Sequence, residues 1–205
     1  VTALQVKVAT AQSVSFSLDD TAGDFMSLTG TANIDLFGFT QVNGNFAVEY
    51  KTGQSLYISG TGAANTEVTD ATLLTLGLSN VNAFVGSNGG TDKALGLELS
   101  QVDLAIALWS EGSSRKWTSV QATVGSASFV GVADLTLSVS NVNLLVNKAA
   151  TDGTVVDYQQ GADESAVTAL QVKVATAQSV SFSLDDTAGD FMSLTGTANI
   201  DLFGF

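Results

Sequence analysis

The sequence predicts an all-β fold made of one repeat and the beginning of a second, identical one. Residues 1–39 recur letter for letter at 167–205, which makes the period 166 residues long (167 minus 1). Apolar and polar residues alternate along most of the chain, as in strands with one covered face. Glycine-containing clusters separate the alternating segments, and proline is absent. Such faithful duplication is typical of tandem arrays, so we expect the chain to be part of one.

Two units follow from the duplication. Residues 1–166 form one full β-rich repeat, and 167–205 supply the first strands of the next, identical repeat. Only 61–72 and 159–166 lack the alternation, and both are polar and contain alanine. We predict that they are loops or single helical turns, the second linking the repeats. We also expect 167–205 to pack against the body of the first repeat, as 1–39 would pack against a preceding copy.

The alternation slips by one residue in the middle of the longest segments. In TLLTLGLSNVNAFV, LELSQVDLAIAL and LTLSVSNVNLLV the apolar residues change parity at a polar dipeptide, and a fourth slip occurs between Val124 and Ala127 in WTSVQATVGSASFVG. A slip turns the apolar face over unless the chain bulges or turns a corner there. Polar side chains suit such a corner because they bond the backbone groups that it frees. We therefore predict two short half-strands joined at a bend in each segment. The dipeptides are Ser79-Asn80, Ser100-Gln101 and Ser140-Asn141.

Two architectures satisfy this pattern. In the first, long bent antiparallel strands form an elongated repeat unit that closes into a tube-like barrel or sandwich. In the alternative, a β-solenoid, each segment is one coil and the slip marks an edge between two faces. Short links such as 131–134 suit hairpins and favour the antiparallel meander. In either case we expect alternating Val, Leu, Ile and Phe residues to dominate the core.

Composition excludes several classes of function. Twenty acidic against seven basic residues give a net charge of -13, which argues against binding nucleic acid or an anionic membrane. Cysteine and histidine are absent, so thiolate chemistry, the usual neutral-pH base and the commonest metal ligand are missing. No apolar run approaches the roughly 20 residues of a membrane-spanning helix, so we expect no membrane insertion in this segment. These observations favour a protein that is not an enzyme and has no resident cofactor.

Clustered carboxylates form the first candidate site, a Ca²⁺ site held by oxygen ligands. They lie in SLDDTAGD, where a strand ends in a loop that contains glycine. The spacing matches neither the EF-hand loop nor the glycine-rich nonapeptide of β-rolls, and a solvated acidic turn is the simpler interpretation. The residues are Asp19, Asp20 and Asp24, repeated in the second copy as Asp185, Asp186 and Asp190.

The second candidate site is a loop between two tryptophans. Trp109 and Trp117 bracket SEGSSRK, where a basic pair, Arg115 and Lys116, lies next to an indole. Exposed indoles would offer a stacking surface to a glycan. Alternatively, the aromatics at the two ends of a hairpin pair across the strands, and Arg115 covers a ring face.

Several phrases of the chain resemble repeats of very large bacterial surface proteins. They include KALGLELSQVDLAIALW, RKWTSVQATVGSASFVGVADLTLSVSNVNLLVN, DGTVVDY and ANIDLFGFTQVNGNFAVEY. The resemblance spans nearly the whole period and contains no catalytic signature. It implies secretion, an elongated β-rich architecture and a role in a cell-surface or extracellular filament.

Taken with the duplication, these features favour a structural repeat that acts as a spacer or fibre-forming unit, with neighbouring copies as its partners. The alternative is an adhesin repeat that binds Ca²⁺ or cell-surface glycans.

Overall fold

An antiparallel β-sheet dominates the protein. The computed structural model describes residues 4–9, 12–17, 24–59, 65–133, 135–162 and 165–202, with side chains described between 24 and 201. Every regular element in these ranges is a strand, which confirms the predicted all-β class. The described part contains no helix long and apolar enough to cross a bilayer. The strands are β1 (Leu4–Ala9), β2 (Gln12–Ser17), β3 (Phe25–Leu36), β4 (Thr40–Ser59), β5 (Thr66–Ser87), β6 (Leu95–Glu111), β7 (Arg115–Val130), β8 (Leu135–Lys148), β9 (Val155–Asp157), β10 (Gln171–Ala175), β11 (Gln178–Ser181) and β12 (Phe191–Leu202).

The sheet is a meander with one strand added from the second copy. Its order is β1-β2-β3-β4-β5-β6-β7-β8-β12, β9 pairs with β4, and β10 and β11 form a separate hairpin. Every pair is antiparallel, so the meander is confirmed, whereas successive solenoid coils would pair in parallel. In the described part the sheet ends at β1 and β12, which do not pair, so the predicted closure into a barrel is not present there.

The turn between β3 and β4 illustrates how the local sequence sets the meander. Phe37 and Gly38 have positive φ angles of 55° and 72°. The Leu36 carbonyl accepts a hydrogen bond from the Phe39 amide at 3.0 Å. The Asp35 carboxylate accepts one from the Gly38 amide at 2.8 Å. This tight turn lets the two strands pair along the whole of β3 without a register shift.

Three of the four predicted slips coincide with one residue in the left-handed region. Asn80, Gln101 and Asn141 have φ angles of 49°, 53° and 52°. These three slips are therefore confirmed, but they lie within continuous strands, such as the 22-residue β5, and do not join two short half-strands. The fourth slip lies in β7, which contains no residue with a positive φ. Side chains on adjacent strands explain the continuity: the Asn80 amide donates to Asp103 Oδ1 at 2.8 Å, and the Gln101 amide donates to Asn82 Oδ1 at 3.2 Å. These bonds satisfy the amides that the bulges take out of the ladder.

Glycines face the bulges on neighbouring strands. A β-carbon at Gly44 would lie 2.5 Å from Val81 Cγ2, and one at Gly125 would lie 2.8 Å from Gln101 Oε1. Real β-carbons do not approach so closely. The Gln101 side chain can move away from Gly125, but Val81 also approaches Gly44 with its Cα, so the bulge in β5 requires glycine at position 44.

The segment 61–72, predicted to be a loop or helical turn, is different in the structure. Residues 60–64 lie outside the described part, but β5 begins at Thr66. Asp70 has a φ of 62° and lies where the register between β4 and β5 shifts. The irregular bulge explains why the strand alternation was not recognisable there.

In β5 and β6 the core lies on the face opposite to the one that carries the alternating aliphatic residues. In β5, the aliphatic Leu74 is 37% exposed, whereas its neighbours Leu73 and Thr75 are buried. In β6, Leu108 is 40% exposed, whereas Ala107 is buried. The expectation that alternating aliphatic residues dominate the core is wrong for these two strands. Their buried face is rich in small residues and is contacted by β10.

We predict that Gln101→Gly is neutral or stabilises the protein by up to about 1 kcal/mol, because glycine adopts positive φ without a steric cost. Gln101→Val should destabilise it by about 1–3 kcal/mol, because a β-branched residue disfavours that region. Urea denaturation measures both free energies of unfolding. Glu98, exposed and regular in the same strand, is the control, and Glu98→Val should be more stable than Glu98→Gly. The same order at both positions would contradict the bulge.

Candidate functional site

The most elaborate contact in the molecule joins the second copy to the first. Two parts of 167–202 make it: β12 extends the sheet at β8, and the β10–β11 hairpin covers a face of the sheet. The predicted packing of the second copy on the first is confirmed for the described residues. We call this contact the junction.

At the edge of the sheet, β12 pairs with β8 along its whole length, from Phe191 opposite Asn147 to Leu202 opposite Leu135. The register shifts between Thr195 and Thr197, opposite the bulge in β8. The residue between them is Gly196, whose missing side chain leaves room for Val142 at about 3.3 Å from a β-carbon position. Backbone pairing of this length ties the two copies together directly.

On the face of the sheet, the hairpin and the residues that follow it bury apolar side chains in one cluster with the small residues of β6. Val172, Phe182 and Leu184 are at most 2% exposed. Ala105 and Ala107 are buried completely beneath them. The approach is closest at Gly77, where a β-carbon would lie 1.8 Å from the Lys173 carbonyl oxygen. Each buried aliphatic or aromatic side chain contributes about 1.5–3 kcal/mol of transfer free energy.

An ionic cluster joins the hairpin to β4. Glu49 is 3% exposed and binds Lys173 of the second copy at 2.9 Å and Lys51 of the first at 3.0 Å. Ser27 also donates to Glu49 Oε1 at 3.2 Å. Burial alone would raise the pKa of the Glu49 carboxyl, but the hydrogen bonds and charges of Lys173 and Lys51 outweigh it and lower the pKa below 4.5. The carboxylate is therefore ionised between two cations that come from different copies.

A buried polar network crosses the junction from strand to strand. Trp109 Nε1 donates to the Tyr158 hydroxyl at 3.1 Å, and that hydroxyl donates to Ser119 Oγ at 2.8 Å. Ser119 donates to Asn147 Oδ1 at 3.0 Å. Asn147 Nδ2 then donates to the Asp185 carbonyl of the second copy at 3.1 Å. Burial raises the pKa of the Tyr158 hydroxyl, and the bonds to Ser119 and Trp109 oppose it only partly, so this hydroxyl stays protonated.

In the first copy, the proposed Ca²⁺ ligands Asp19 and Asp20 lie outside the described residues. Asp24 is exposed, and its amide donates to Thr52 Oγ1 at 3.0 Å. This contact fixes the backbone at the start of β3 and leaves the carboxylate in solvent.

In the second copy, the same acidic segment is described. Asp185 Oδ1 accepts a hydrogen bond from the Thr187 amide at 3.1 Å, and the Asp186 carbonyl accepts one from the Gly189 amide. Asp190 forms an ion pair with Lys148 of β8. Among the residues that the structure describes, no three acidic side chains are grouped as metal ligands would be. Ca²⁺ binding stays a prediction, and the visible role of these residues is to shape a turn at the junction.

The two tryptophans pair across the β6–β7 hairpin. Trp109 lies opposite Trp117, and Arg115 lies over the Trp117 ring at 5.3 Å from its centroid, which confirms the cross-strand alternative. The indoles are 5% and 1% exposed, and Trp117 Nε1 donates to Thr154 Oγ1 at 3.0 Å. Arg115 also pairs with Glu111. Buried indoles do not offer the stacking surface on which the glycan hypothesis depends.

Sequence reasoning missed the residues that make the junction. Glu49 and Lys173 are charged residues inside alternating strands, which is the one signal that marked them. Gly77 and Asn147 carried no recognisable signal, because their importance depends on a partner 96 or 38 residues away (173 minus 77, 185 minus 147).

No known family model matches the chain, and no curated protein or solved structure is significantly similar to it.

We predict that Glu49→Gln lowers the free energy of unfolding by about 1–3 kcal/mol, because it removes a charged acceptor of hydrogen bonds. A depressed carboxyl pKa stabilises the fold above the ordinary value of 4.5, and this stability is lost as pH falls through the folded pKa. The difference between wild type and variant should therefore shrink below about pH 4.5. Denaturation at pH 7 and pH 3 measures it. Glu98→Gln is the exposed control, and an equal loss there would contradict the cluster.

We predict that Gly77→Ala releases the hairpin from the sheet, because the added methyl group would meet backbone atoms of Lys173 that have no room to move. The expected loss is about 1–3 kcal/mol, together with faster amide exchange in 171–181. At Gly30 a β-carbon would meet only the edge of the Phe46 ring, so Gly30→Ala should leave exchange in the hairpin unchanged. Full protection of the hairpin in the Gly77 variant would rule out this packing.

Proposed function

We propose that the protein is a non-catalytic structural repeat of an extracellular or cell-surface filament. It acts as a spacer or fibre-forming unit, and its partners are neighbouring copies of the same repeat. The observation that carries this proposal is the junction: strands of the second copy complete both the sheet and the core of the first.

The division of the core between two copies supports a mechanical role. Val172 and Phe182 of the second copy belong to the same buried cluster as Trp109 and Trp117 of the first. A binding module or an enzyme in an array functions without such sharing, because a linker is enough to hold it. Units that share a core and a strand ladder are instead fixed in orientation, and tension between them acts on hydrogen bonds and buried side chains.

The charge of the repeat also suits a long assembly. Removing the second copy's lysine and four aspartates from the totals of 7 and 20 leaves 6 basic and 16 acidic residues per period, a charge of -10. This charge accumulates with every copy and keeps parallel filaments apart in solution. The resemblance to repeats of very large bacterial surface proteins supports the extracellular location.

The tube-like or sandwich shape belongs to the same proposal. Leu74 and Leu108 lie opposite each other on a half-exposed aliphatic face of β5 and β6. An aliphatic face of this kind is stabilised when the sheet curls over it. We propose that this face forms the inside of the filament and that β10–β11 forms part of its outer surface.

The experiment compares chains of two, four and eight complete periods by electron microscopy. We expect straight particles whose length increases by a constant amount per period. Matched chains with Gly77→Ala in every copy should bend at the junctions, whereas Gly30→Ala in every copy should not. Compact particles of the unaltered repeat, or beads separated by variable distances, would contradict the proposal.

A further inference from the structure

The strand β12 has the same sequence as β3 but a different set of neighbours. Both read FMSLTGTANIDL. β3 lies between β2 and β4, whereas β12 pairs with β8 and is the last strand of the sheet in the described part of the chain. The same twelve residues therefore appear once inside the sheet and once at its border.

Direction and facing relate the two strands. Six antiparallel steps separate β12 from β3, so both run in the same direction. The cross-strand row that starts at Leu28 passes through Val48, Leu76 and the strands beyond them, and reaches Met192. Met192 is the equivalent of Met26. Because Met26 and Leu28 are two residues apart in one strand, their side chains point to the same face of the sheet. Equivalent side chains of β3 and β12 therefore point to the same face. The edge of β12 that faces away from β8 is consequently the edge by which β3 pairs with β4.

We propose that β12 is a strand shared by two copies. It pairs with β8 of the first copy at one edge, and its outer edge pairs with the residues of the second copy that correspond to 40–51. The register is that of β3 with β4, so that Met192 lies opposite the following copy's Tyr50, as Met26 lies opposite Tyr50 here. This inference rests on the proposed function and specifies how it is achieved: one sheet runs through the whole array, with six strands per copy.

β3 itself demonstrates that this sequence has room for neighbours at both edges. Ser27 and Thr29 pair with Ser17 and Ser15 of β2 on one side, while β4 pairs on the other. On β12, the equivalent positions Ser193 and Thr195 pair with β8. The strand β2 thus occupies the place that β8 of a preceding copy would take.

If β8 of a preceding copy pairs with β3, the β1–β2 hairpin must lie elsewhere, and the second copy indicates where. The residues of β1 and β2 recur in β10 and β11, which lie on the face of the sheet instead of its edge. With Lys173 bound to Glu49, the face position includes an ion pair that spans the two copies. A preceding copy therefore supplies β3 with a new neighbour and its hairpin with a place to bind.

The shared strand sets a geometric limit on the array. Six strands at a spacing of about 4.8 Å advance the sheet by roughly 29 Å per copy. The cross-strand row that starts at Leu28 of β3 ends at Met192, which is the equivalent of Met26 and not of Leu28. Each copy is therefore also displaced by two residues along the strands. At about 3.4 Å per residue this displacement is roughly 7 Å. A continuous sheet, curled or flat, therefore lengthens a filament by no more than about 30 Å per copy.

The test extends the full chain by its own repeat sequence and measures residue-specific amide exchange in β12. One extension adds residues 40–59 after Phe205, and the second adds the complete segment 40–166. Alternate amides of β12 point to opposite edges, so one set is protected by β8 in the present chain and the other exchanges fast. The positions bonded to β4 in β3 identify the outer set independently.

We expect the outer set to become at least tenfold more protected in the extended chains, while the set facing β8 keeps its protection. A 40–59 extension with Val48→Pro is the matched control, because proline cannot donate to the ladder, and it should reduce this gain. The proposal is overturned if the outer amides of β12 still exchange fast in both extended chains. It is also overturned if the outer amides gain protection while the amides that face β8 lose it.

Failure here is distinguishable from failure of the proposed function. A filament that grows by a constant increment well above 30 Å per copy would retain the mechanical role and exclude the shared strand.

Discussion

The structure depends on the close approach of a hairpin from one copy to the sheet of the previous copy. Glycine and alanine at Gly77, Ala105 and Ala107 leave the covered face of the sheet too shallow to form a core by itself. Val172 and Phe182 supply the missing volume. Because packing density in protein interiors is close to that of a crystal, neither surface is filled without the other. The repeat defined by sequence and the unit defined by packing are thus offset from each other.

Polar groups fix the position of the hairpin on the sheet. Apolar side chains alone tolerate sliding of a hairpin over a flat sheet, but Glu49 accepts Lys173 at one end and Asn147 holds the Asp185 carbonyl at the other. A shift of Lys173 would remove one of the two cations that bind the buried Glu49 carboxylate, and a shift of Asp185 would remove a hydrogen bond of the buried Asn147. The loss of such a bond costs about 0.5–3 kcal/mol. Tyr158, which bonds both Trp109 and Ser119, extends the same constraint to the residue that precedes the linker between the copies.

Local features were predictable from the sequence because they are encoded by neighbouring residues. The all-β class follows from alternation, and the bulges at Asn80, Gln101 and Asn141 follow from single-residue slips. The covered face was not predictable, since hydrophobic alternation marks Leu74 and its in-phase neighbours. Glycine and alanine bury little area and register weakly in such a pattern, although they are what a backbone packs against. The burial of the tryptophans was not predictable either, because the residues that contact Trp117, such as Thr154, lie outside the β6–β7 hairpin.

The division of the core also has a consequence for the two ends of any such polymer. An ordinary copy at the last position would leave the backbone of β8 and the shallow face around Gly77 bare, and both are surfaces prone to aggregation. Solenoid-like proteins resolve this problem with terminal units of different sequence that carry a polar exterior. An array of identical copies would therefore need at least one terminal unit of divergent sequence that covers both surfaces.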